Sequence, residues 1–385
     1  MIYPKFLSEG SVIGVTAPSD GITDDLDLVR LSSASRNLSD RGFSVILTDN
    51  VRTSNNMRSS SALKRAKELE SLFLDDRVDL IISACGGEFL MEMIPYLNYD
   101  VIAKNPKWFQ GYSDPTWITY TITTNLDIAT VYSNNYKAFG MEKWHKSLSD
   151  NIDILEGRNV VQNSFDMYEG SKRKLVTGLE GYNLDSDVNL KIVTGEESVF
   201  MSGRMIGGCL DVIGDIFGTK YDKTISFISK YKDDGIIWYF ESFSLSSENI
   251  IRLLWKLKDS GYFEYTKGIV FGRNCMYSSL FETSFEDTVI SVLGDLGVPI
   301  VIDADIGHVG PRITVINGAI ADIGCSNGKG NIRFSFRWLV WIVLIIFWIL
   351  WVNLSLGVVF ILRKRILFMQ KRKDIELLRS MLMIL

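Results

Sequence analysis

The sequence has few of the residues that build metal sites or disulfide frameworks. Its 385 residues include two histidines and four cysteines. The cysteines form no C-x-x-C pair and have no histidine beside them: Cys85, Cys209, Cys275 and Cys325. Because zinc and iron–sulfur centres need clustered ligands, we expect no metal site. Scattered thiols are typical of a reduced, cytoplasmic compartment.

The chain also lacks the charge and the motifs of several binding classes. Its net charge of −5 gives no basic surface of the kind that binds nucleic acid. No G-x-G-x-x-G follows the first predicted strand, and Gly324–Gly330 lacks the spacing and the final Ser/Thr of a P-loop. We therefore expect neither a dinucleotide cofactor nor a P-loop. The N-terminal residues do not form a signal peptide, which predicts that the folded body stays in the cytoplasm.

Strands and helices alternate in the first 135 residues. Apolar runs predict strands at Ser11–Thr16, Phe43–Leu47, Val78–Ala84, Trp108–Tyr112 and Ile128–Tyr132. Stretches with helical spacing lie between these runs, over residues 24–41, 60–74 and 115–124. This alternation predicts an α/β fold with a parallel sheet covered on both faces. Residues 136–200 are less regular and are interpreted as a connection with small hairpins.

A second, smaller α/β unit is predicted from about residue 200. Gly207-Gly208 opens a helical stretch, and Gly235–Phe240 and Pro299–Ile302 have the composition of buried strands. Asn317-Gly318 lies between two apolar runs and predicts a β-hairpin. The predicted organisation is an N-terminal domain over residues 1–165, a C-terminal domain over 166–336 and a tail over 337–385.

The tail differs in composition from the rest of the chain. Trp338–Leu362 contains no charged residue. As a helix it would span about 37 Å, more than the roughly 30 Å core of a bilayer. The segment therefore predicts a transmembrane helix, followed by a basic stretch over residues 363–385. Positive charges after the span favour a cytoplasmic C-terminus, whereas a cytoplasmic body anchored by its tail is the simpler arrangement. An extension that the fold does not require is the alternative.

Three residues at predicted strand ends could act together as a nucleophile, a base and an acid. Ser113 joins a strand to a helix, as the serine of a nucleophile elbow does. His308 follows Pro299–Ile302 in a glycine-rich loop, a position where α/β proteins place functional groups. Glu241 ends an apolar strand and could orient the histidine. The other histidine, His145, lies in a charged segment typical of a protein surface.

Each of these residues also has a structural interpretation. Ser113 could be a helix N-cap, and Glu241 could be an exposed acid at a strand end. Cys85-Gly86-Gly87 closes a neighbouring strand and could supply a backbone N–H to an oxyanion hole, beside those at the start of the helix after Ser113. Cys85 could itself be a thiol nucleophile, although a cysteine at a strand end is more often simply buried.

From Pro4 to Phe334 the sequence resembles the LD-carboxypeptidase family of serine peptidases, which also contains the microcin C immunity proteins. None of the motifs is specific alone, but their order along the chain is. They are Pro4-Lys5-Phe6-Leu7, Gly14-Val15-Thr16, Ala17-Pro18-Ser19, Gly86-Gly87, Pro95-Tyr96-Leu97-Asn98-Tyr99, Lys104-Asn105-Pro106-Lys107, Gly111-Tyr112-Ser113-Asp114, Gly203-Arg204, Gly207-Gly208-Cys209-Leu210, Phe240-Glu241 and Gly307-His308.

The resemblance implies a site and an architecture. Ser113, Glu241 and His308 match the family's Ser–Glu–His triad, and the N–H groups of Gly87 and Asp114 match its oxyanion hole. The implied fold is a flavodoxin-like N-terminal domain with a smaller α/β C-terminal domain, in a homodimer that needs no metal. Asn98 stands where the family often has aspartate, and the tail after Phe336 has no counterpart in the family pattern.

The activity implied is removal of the terminal D-alanine from murein tetrapeptides in cell-wall recycling. Arg204, Arg273 and Arg312 are candidates for binding the substrate carboxylate. A second hypothesis is hydrolysis of a peptidyl-nucleotide antibiotic, with Trp144 stacked on the base. Two further hypotheses are a non-catalytic, membrane-anchored binding protein and an amidotransferase-like enzyme that uses Cys85.

Overall fold

The computed structural model describes residues 1–171 and 174–336. In it, buried apolar runs form strands, and the stretches between them form helices. The strands are β1 Val12–Thr16, β2 Ser44–Leu47, β3 Val78–Ser83, β4 Trp108–Gly111, β5 Thr130–Tyr132, β6 Val161–Asn163, β7 Met167–Tyr168, β8 Ser186–Asp187, β9 Lys191–Ile192, β10 Ser198–Cys209, β11 Ile236–Glu241, β12 Thr266–Gly272, β13 Ile300–Ala304, β14 Val315–Asn317, β15 Ile320–Ser326 and β16 Lys329–Ser335. The α-helices are α1 Asp25–Ser39, α2 Ala62–Leu74, α3 Tyr99–Lys104, α4 Thr116–Leu126, α5 Lys146–Leu155, α6 Leu210–Ile216, α7 Thr224–Lys230, α8 Ser247–Asp259 and α9 Phe285–Leu293.

The first sheet contains the strands predicted in the first 135 residues. Its order is β14-β5-β4-β3-β1-β2, and the pairs among β1 to β5 are parallel. The order β2-β1-β3-β4-β5 is that of flavodoxin-like folds, in which ligands bind at the carboxyl ends of the strands. The prediction of an α/β fold with a parallel sheet in this half is confirmed.

Local sequence explains why the helices of this half form where they do. The Asp24 side chain accepts hydrogen bonds from the N–H groups of Leu26 and Asp27, which satisfies free donors at the start of α1. Along α2, Leu69 and Phe73 are fully buried and belong to the same core as the β3 residues. Burying each such side chain contributes about 1.5–3 kcal/mol, so the apolar stripe fixes the helix on the sheet.

The second sheet has the order β6-β16-β15-β10-β11-β12-β13-β9. Its centre, from β10 to β13, is parallel, whereas the outer strands are antiparallel. Met1–Ser335 form one compact unit. The boundary between residues 165 and 166 stays a prediction, as does the assignment of residues 337–385, which lie outside the described part.

The hairpin predicted at Asn317-Gly318 is wrong. β14 pairs with β5 in the first sheet, whereas β15 pairs with β10 and β16 in the second. The chain therefore crosses between sheets at this turn. The Asn317 side chain makes the crossing stable, since its Oδ1 accepts from the Gly207 N–H at 3.2 Å and from the Tyr239 hydroxyl at 2.9 Å.

The helix predicted to begin at Gly207-Gly208 begins later, because β10 continues to Cys209. A Cβ on Gly207 would lie 1.7 Å from the carbonyl oxygen of Tyr239, so glycine here serves close pairing of strands. Helix α5, in the irregular connection, was not predicted from the sequence. His145 is the N-cap of this helix, and its imidazole accepts a hydrogen bond from the Ser147 N–H at 3.2 Å. Histidine is not among the residues that usually cap helices, which are Ser, Thr, Asp and Asn.

The predicted fold class included a transmembrane helix, and this part of the prediction is not supported by the structure. Within residues 1–171 and 174–336 no helix is long and apolar enough to cross a membrane. The longest, α1, has 15 residues. At about 1.5 Å per residue it reaches about 22 Å, short of the roughly 30 Å of a bilayer core. Residues 338–362, on which the prediction fell, lie outside the described residues.

Candidate active site

The carboxyl ends of strands from both sheets meet at one cleft of about 710 Å³. The loops after β3 and β4 supply Gly86, Gly87 and Ser113, and the loop after β13 supplies His308. Carboxyl ends of parallel strands are where α/β sheets bind ligands. The wall of the cleft carries charges of both signs: Asp20, Asp27, Glu88 and Glu169 against Arg30, Lys137 and Arg312.

Three of the residues predicted from strand ends form a continuous hydrogen-bonded chain. The Ser113 Oγ lies 2.9 Å from Nε2 of His308. The other ring nitrogen, Nδ1, lies 2.7 Å from Oε2 of Glu241. Both distances suit hydrogen bonds of a nucleophile–base–acid arrangement. The structure thus brings together Ser113, His308 and Glu241 across 195 residues of sequence.

Ser113 occupies a sharp turn between β4 and α4. Its φ is +70°, a left-handed conformation that costs a residue with a Cβ about 1–3 kcal/mol. The turn is held by Thr116, whose N–H and Oγ1 both donate to the Ser113 carbonyl, at 2.8 and 2.6 Å. The backbone strain turns the hydroxyl toward the cleft, which matches a nucleophile elbow and not a simple N-cap.

Glu241 is fully buried and ionised. Burial alone would raise the pKa of its carboxyl, but the charge of His308 and hydrogen bonds from His308 and Tyr132 outweigh burial and hold the pKa below its ordinary value. The acid is also closely packed. A Cβ on Gly307, whose φ is +98°, would lie 2.5 Å from Oε2 of Glu241. Glycine before the histidine is therefore needed for the acid and the base to meet.

The His308 imidazole is held by its neighbours. Its ring contacts the ring of Phe243, with centroids 4.7 Å apart, and the edge of Tyr112 at 5.2 Å. Arg312 fixes the loop, since it donates to the carbonyl oxygens of Gly307 at 2.6 Å and of His308 at 3.3 Å. These contacts limit the rotamers of the base, so little reorganisation is needed for proton transfer.

Two backbone N–H groups near the nucleophile are available to a ligand. The N–H groups of Gly87 and Asp114 donate to no other residue in the described ranges. Gly87 cannot carry a side chain, because a Cβ there would lie 2.2 Å from the Ser19 Oγ. A Cβ on Gly86 would lie 3.2 Å from the Ser113 Oγ. Glycine at these positions thus lets the loop approach the Ser113 and Ser19 side chains closely.

The Asp114 side chain ties the loops of the site together. Its carboxylate accepts hydrogen bonds from the Ser19 hydroxyl and, at 2.9 Å, from the Leu90 N–H. Ser19 follows β1, and Leu90 follows the glycine loop after β3. Burial raises the pKa of Asp114 to about 6, although the Ser19 and Leu90 hydrogen bonds partly oppose the rise.

This raised pKa predicts a pH dependence of the free energy of unfolding. The contribution of Asp114 is fully present below about pH 4 and is lost as the pH rises through about 6, because the unfolded state ionises first. A shift of two units corresponds to about 3 kcal/mol. Denaturant unfolding of the wild type and Asp114→Asn from pH 4 to 7 should show the wild type losing stability relative to the variant. If the difference in free energy of unfolding between the two proteins does not change with pH, the pKa of Asp114 is not raised in the folded state.

The thiol of Cys85 lines the same cleft but is not prepared for nucleophilic attack. Its Sγ donates to the Asp20 carbonyl oxygen at 3.0 Å. Burial raises the pKa of the thiol to about 12, so the thiolate is scarcely present at neutral pH. The cysteine-nucleophile hypothesis has no support from this environment.

The predicted substrate-binding residues lie in different places. Arg204 pairs with Asp234, with 2.5 Å between Nη2 of the arginine and Oδ2 of the aspartate, and is outside the cleft lining. Arg273 forms a buried pair with Asp305 at 2.7 Å. Trp144 lies in a separate pocket of about 300 Å³, with the Arg41 guanidinium 3.6 Å from its ring centroid. Of the three candidate arginines, Arg312 lines the cleft.

One group of possible metal ligands coincides with the site. Among the described residues, ligand atoms of Cys209, Glu241 and His308 lie within 4.8 Å of one another. Both nitrogens of His308 are already hydrogen-bonded to Ser113 and Glu241. An ion bound here would have to replace the hydrogen bonds that orient the base, so the donors fit the triad arrangement better.

Two residues of the site had no prediction from the sequence. Lys137 lines the cleft and pairs with Asp27 at 2.7 Å. Burial would lower the pKa of Lys137, but the charge of Asp27 outweighs burial and raises it. Tyr132 ends β5, and its hydroxyl lies 2.5 Å from Oε1 of Glu241. The strand-end position that indicated Glu241 was also the available signal for Tyr132.

Comparison with known proteins connects the fold and the site to one family. The LD-carboxypeptidase N-terminal domain matches residues 13–133, and the LD-carboxypeptidase C-terminal domain matches residues 202–323. Ser113 lies in the first match, and Glu241 and His308 lie in the second. Together the two matches cover more than half of the chain.

Individual proteins are similar over most of their length. A Bacillus subtilis (strain 168) protein named probable murein peptide carboxypeptidase is 25% identical over 83% of this chain and 90% of its own. The microcin C7 self-immunity protein MccF of Escherichia coli is 25% identical over 74% of this chain and 83% of its own. A solved MccF-like protein from Bacillus anthracis (strain Ames) superposes with a TM-score of 0.72 at 26% identity, over 88% of this chain and all of that one.

Because both domains are matched in the order in which the family has them, and over both halves of the cleft, the chain belongs to the LD-carboxypeptidase family of serine peptidases.

Proposed function

We propose that this serine peptidase hydrolyses the L,D-peptide bond to the terminal D-alanine of murein tetrapeptides, with Ser113, His308 and Glu241 as its catalytic triad. The observation that carries the proposal is the unbroken hydrogen-bonded chain from the Ser113 Oγ through His308 to Glu241. The similarity to the Bacillus subtilis protein named for murein peptides supports the choice of substrate.

The proposed reaction is acyl transfer through the Ser113 hydroxyl. His308 accepts the hydroxyl proton at Nε2 while Oγ attacks the carbonyl carbon before D-alanine. The N–H groups of Gly87 and Asp114 stabilise the oxyanion, and each such donor typically contributes about 3–4 kcal/mol in the transition state. His308 then gives the proton to the departing nitrogen of D-alanine. Water, deprotonated by the same base, releases the acyl group and restores the serine.

The charges of the cleft fit a small peptide with both a carboxylate and an ammonium group. Arg312 and Lys137 line the wall, and both are already hydrogen-bonded within the protein. Their positive charges would therefore attract the terminal carboxylate of the substrate, although their hydrogen-bond donors already have partners within the protein. The acids on the same wall, including Asp20 and Glu88, would repel a polyanion and favour a free amine.

Release of D-alanine from murein tetrapeptide, followed by chromatography, tests the proposal directly. A matched tetrapeptide that ends in L-alanine is the stereochemical control. We expect release from the D-terminated peptide and none above background from the L-terminated one, because the oxyanion donors and the cleft charges fix the orientation of the last residue. Equal hydrolysis of both peptides, or of neither by folded protein, would contradict the proposal.

A second candidate function is hydrolysis of a peptidyl- or aminoacyl-nucleotide antibiotic. Its support is the similarity to the microcin C7 self-immunity protein. The tryptophan suggested for base stacking does not favour it, since Trp144 lies outside the cleft lining and Arg41 covers one ring face. Protein that is inert on tetrapeptide but cleaves an aminoacyl sulfamoyl or phosphoramidate nucleotide would establish this alternative. The homodimer implied by the resemblance stays a prediction.

A further inference from the structure

One hydroxyl joins the backbone of the nucleophile to the orienting acid. Tyr132 is the last residue of β5 and is buried. Its hydroxyl donates to Oε1 of Glu241 at 2.5 Å. The hydroxyl oxygen of Tyr132 also accepts a hydrogen bond from the N–H of Ser113, at 3.3 Å. Glu241 therefore has one oxygen bonded to His308 and the other bonded to Tyr132.

The direction of these hydrogen bonds is fixed by chemistry. The Ser113 N–H can only donate, and the ionised carboxylate of Glu241 can only accept. The single proton of the tyrosine hydroxyl therefore points at Glu241, and its lone pair faces Ser113. Burial and the nearby Glu241 charge raise the pKa of Tyr132 well above its ordinary value, so the proton stays on the hydroxyl.

The position of the hydroxyl is set by the packing of the ring. Tyr132 contacts the ring of Tyr239, with centroids 5.5 Å apart, and the edge of Tyr112 at 6.4 Å. Its backbone pairs with Val315 of β14, the strand that the second half of the chain adds to the first sheet. Tyr132 thus lies where the two sheets are joined and can reach Glu241 at the end of β11.

We propose that Tyr132 is a positioning residue of the catalytic site, which holds Glu241 oriented toward His308 and fixes the turn that carries Ser113. The inference rests on the triad proposed above. A buried carboxylate with a donor on only one oxygen could rotate away from the histidine, and an unpaired Ser113 N–H would loosen a backbone turn that is already strained. Tyr132 prevents both changes with one group.

The Tyr132→Phe variant tests the proposal, since it removes the hydroxyl and keeps the ring. Hydrogen bonds to charged groups have strengths that correspond to about 10- to 100-fold in rate, and we expect kcat for D-alanine release to fall by that factor with little change in KM. The carboxylate loses a donor, so the Glu241–His308 pair binds a proton more readily. The acidic limb of kcat/KM against pH should therefore move upward by about one unit.

Tyr239→Phe is the matched control. Tyr239 is equally buried, its ring touches that of Tyr132, and its hydroxyl donates to Asn317 and not to the triad. It should keep kcat within about threefold and leave the pH profile in place, since its hydrogen bond joins strands and not catalytic groups. Equal losses in the two variants with no pH shift would overturn the proposal. The pH shift does not depend on how much of either variant is folded.

Ser113→Ala separates a failure of this inference from a failure of the proposed function. If Ser113→Ala still releases D-alanine, the triad is wrong and the role of Tyr132 falls with it. If Ser113→Ala is inactive while Tyr132→Phe matches the wild type in kcat and in pH profile, the triad stands and the positioning role of Tyr132 is refuted.

Discussion

Replacing Ser113 with alanine is expected to lower kcat for D-alanine release by about six orders of magnitude, the usual cost of losing a serine nucleophile. Among the described residues, the Ser113 hydroxyl is hydrogen-bonded to His308 at the cleft and not to a residue of the hydrophobic core. Alanine keeps the Cβ, so the strain at φ +70° is unchanged. We therefore expect the free energy of unfolding to change by no more than about 0.5 kcal/mol.

The measurement is single-turnover release of D-alanine, together with calorimetric binding of the tetrapeptide. Binding should survive in Ser113→Ala, because the cleft charges and the backbone N–H groups remain. Cys85→Ala serves as the comparison, since that thiol lines the same cleft. It should retain activity within about tenfold if serine is the nucleophile, a change far smaller than loss of a nucleophile. A Ser113→Ala variant with more than a few per cent of wild-type activity, beside an inert Cys85→Ala, would exclude the triad.

The positions of Ser113, Glu241 and His308 could be predicted because parallel sheets impose them. Each residue follows an apolar run that becomes a strand of a mainly parallel sheet: β4, β11 and β13. The carboxyl ends of such strands lie at one edge, so residues distant in sequence meet there. With two histidines in the chain, one of them in a charged segment, the choice of base was narrow.

The same reasoning could not predict how the two sheets are joined. Asn-Gly favours a hairpin by local turn chemistry, yet β14 pairs with β5 and β15 pairs with β10. The deciding contacts are the hydrogen bonds of Asn317 to Gly207 and Tyr239, which are tertiary and leave no local signal. The position of Tyr132 at a strand end could be predicted in the same way as that of Glu241, but its hydrogen bond to Glu241 joins the two sheets and has no local signal either.

Arginines illustrate a further limit of sequence patterns. Arg204 and Arg312 have similar settings in the sequence, each near glycine and an apolar run. In the structure Arg204 is neutralised by Asp234, whereas Arg312 reaches the cleft and the loop of His308. Which acid pairs with which base depends on strand order, and strand order is a property of the whole fold.

Glu241→Gln is expected to lower kcat by about four orders of magnitude, the effect of replacing the orienting acid of a triad with its amide. An amide can offer its NH₂ to Nδ1 of His308, which would move the ring proton to Nε2, the atom that must accept from Ser113. The variant also loses the charge that stabilises the imidazolium. KM should change little, because the 0% exposed carboxylate of Glu241 is beneath the base and outside the cleft lining.

Glu70→Gln is the matched control, because Glu70 is a buried glutamate of α2 that accepts from the Asn98 N–H and from Lys67 and lies outside the cleft lining. Its kcat should stay near that of the wild type. The double variant Ser113→Ala, Glu241→Gln should be no slower than Ser113→Ala alone, because residues that act as one unit do not have additive effects. If the double variant is slower by the product of the single effects, Glu241 acts on catalysis independently of Ser113. The carboxylate would then stabilise the fold of the site and not the charged form of His308.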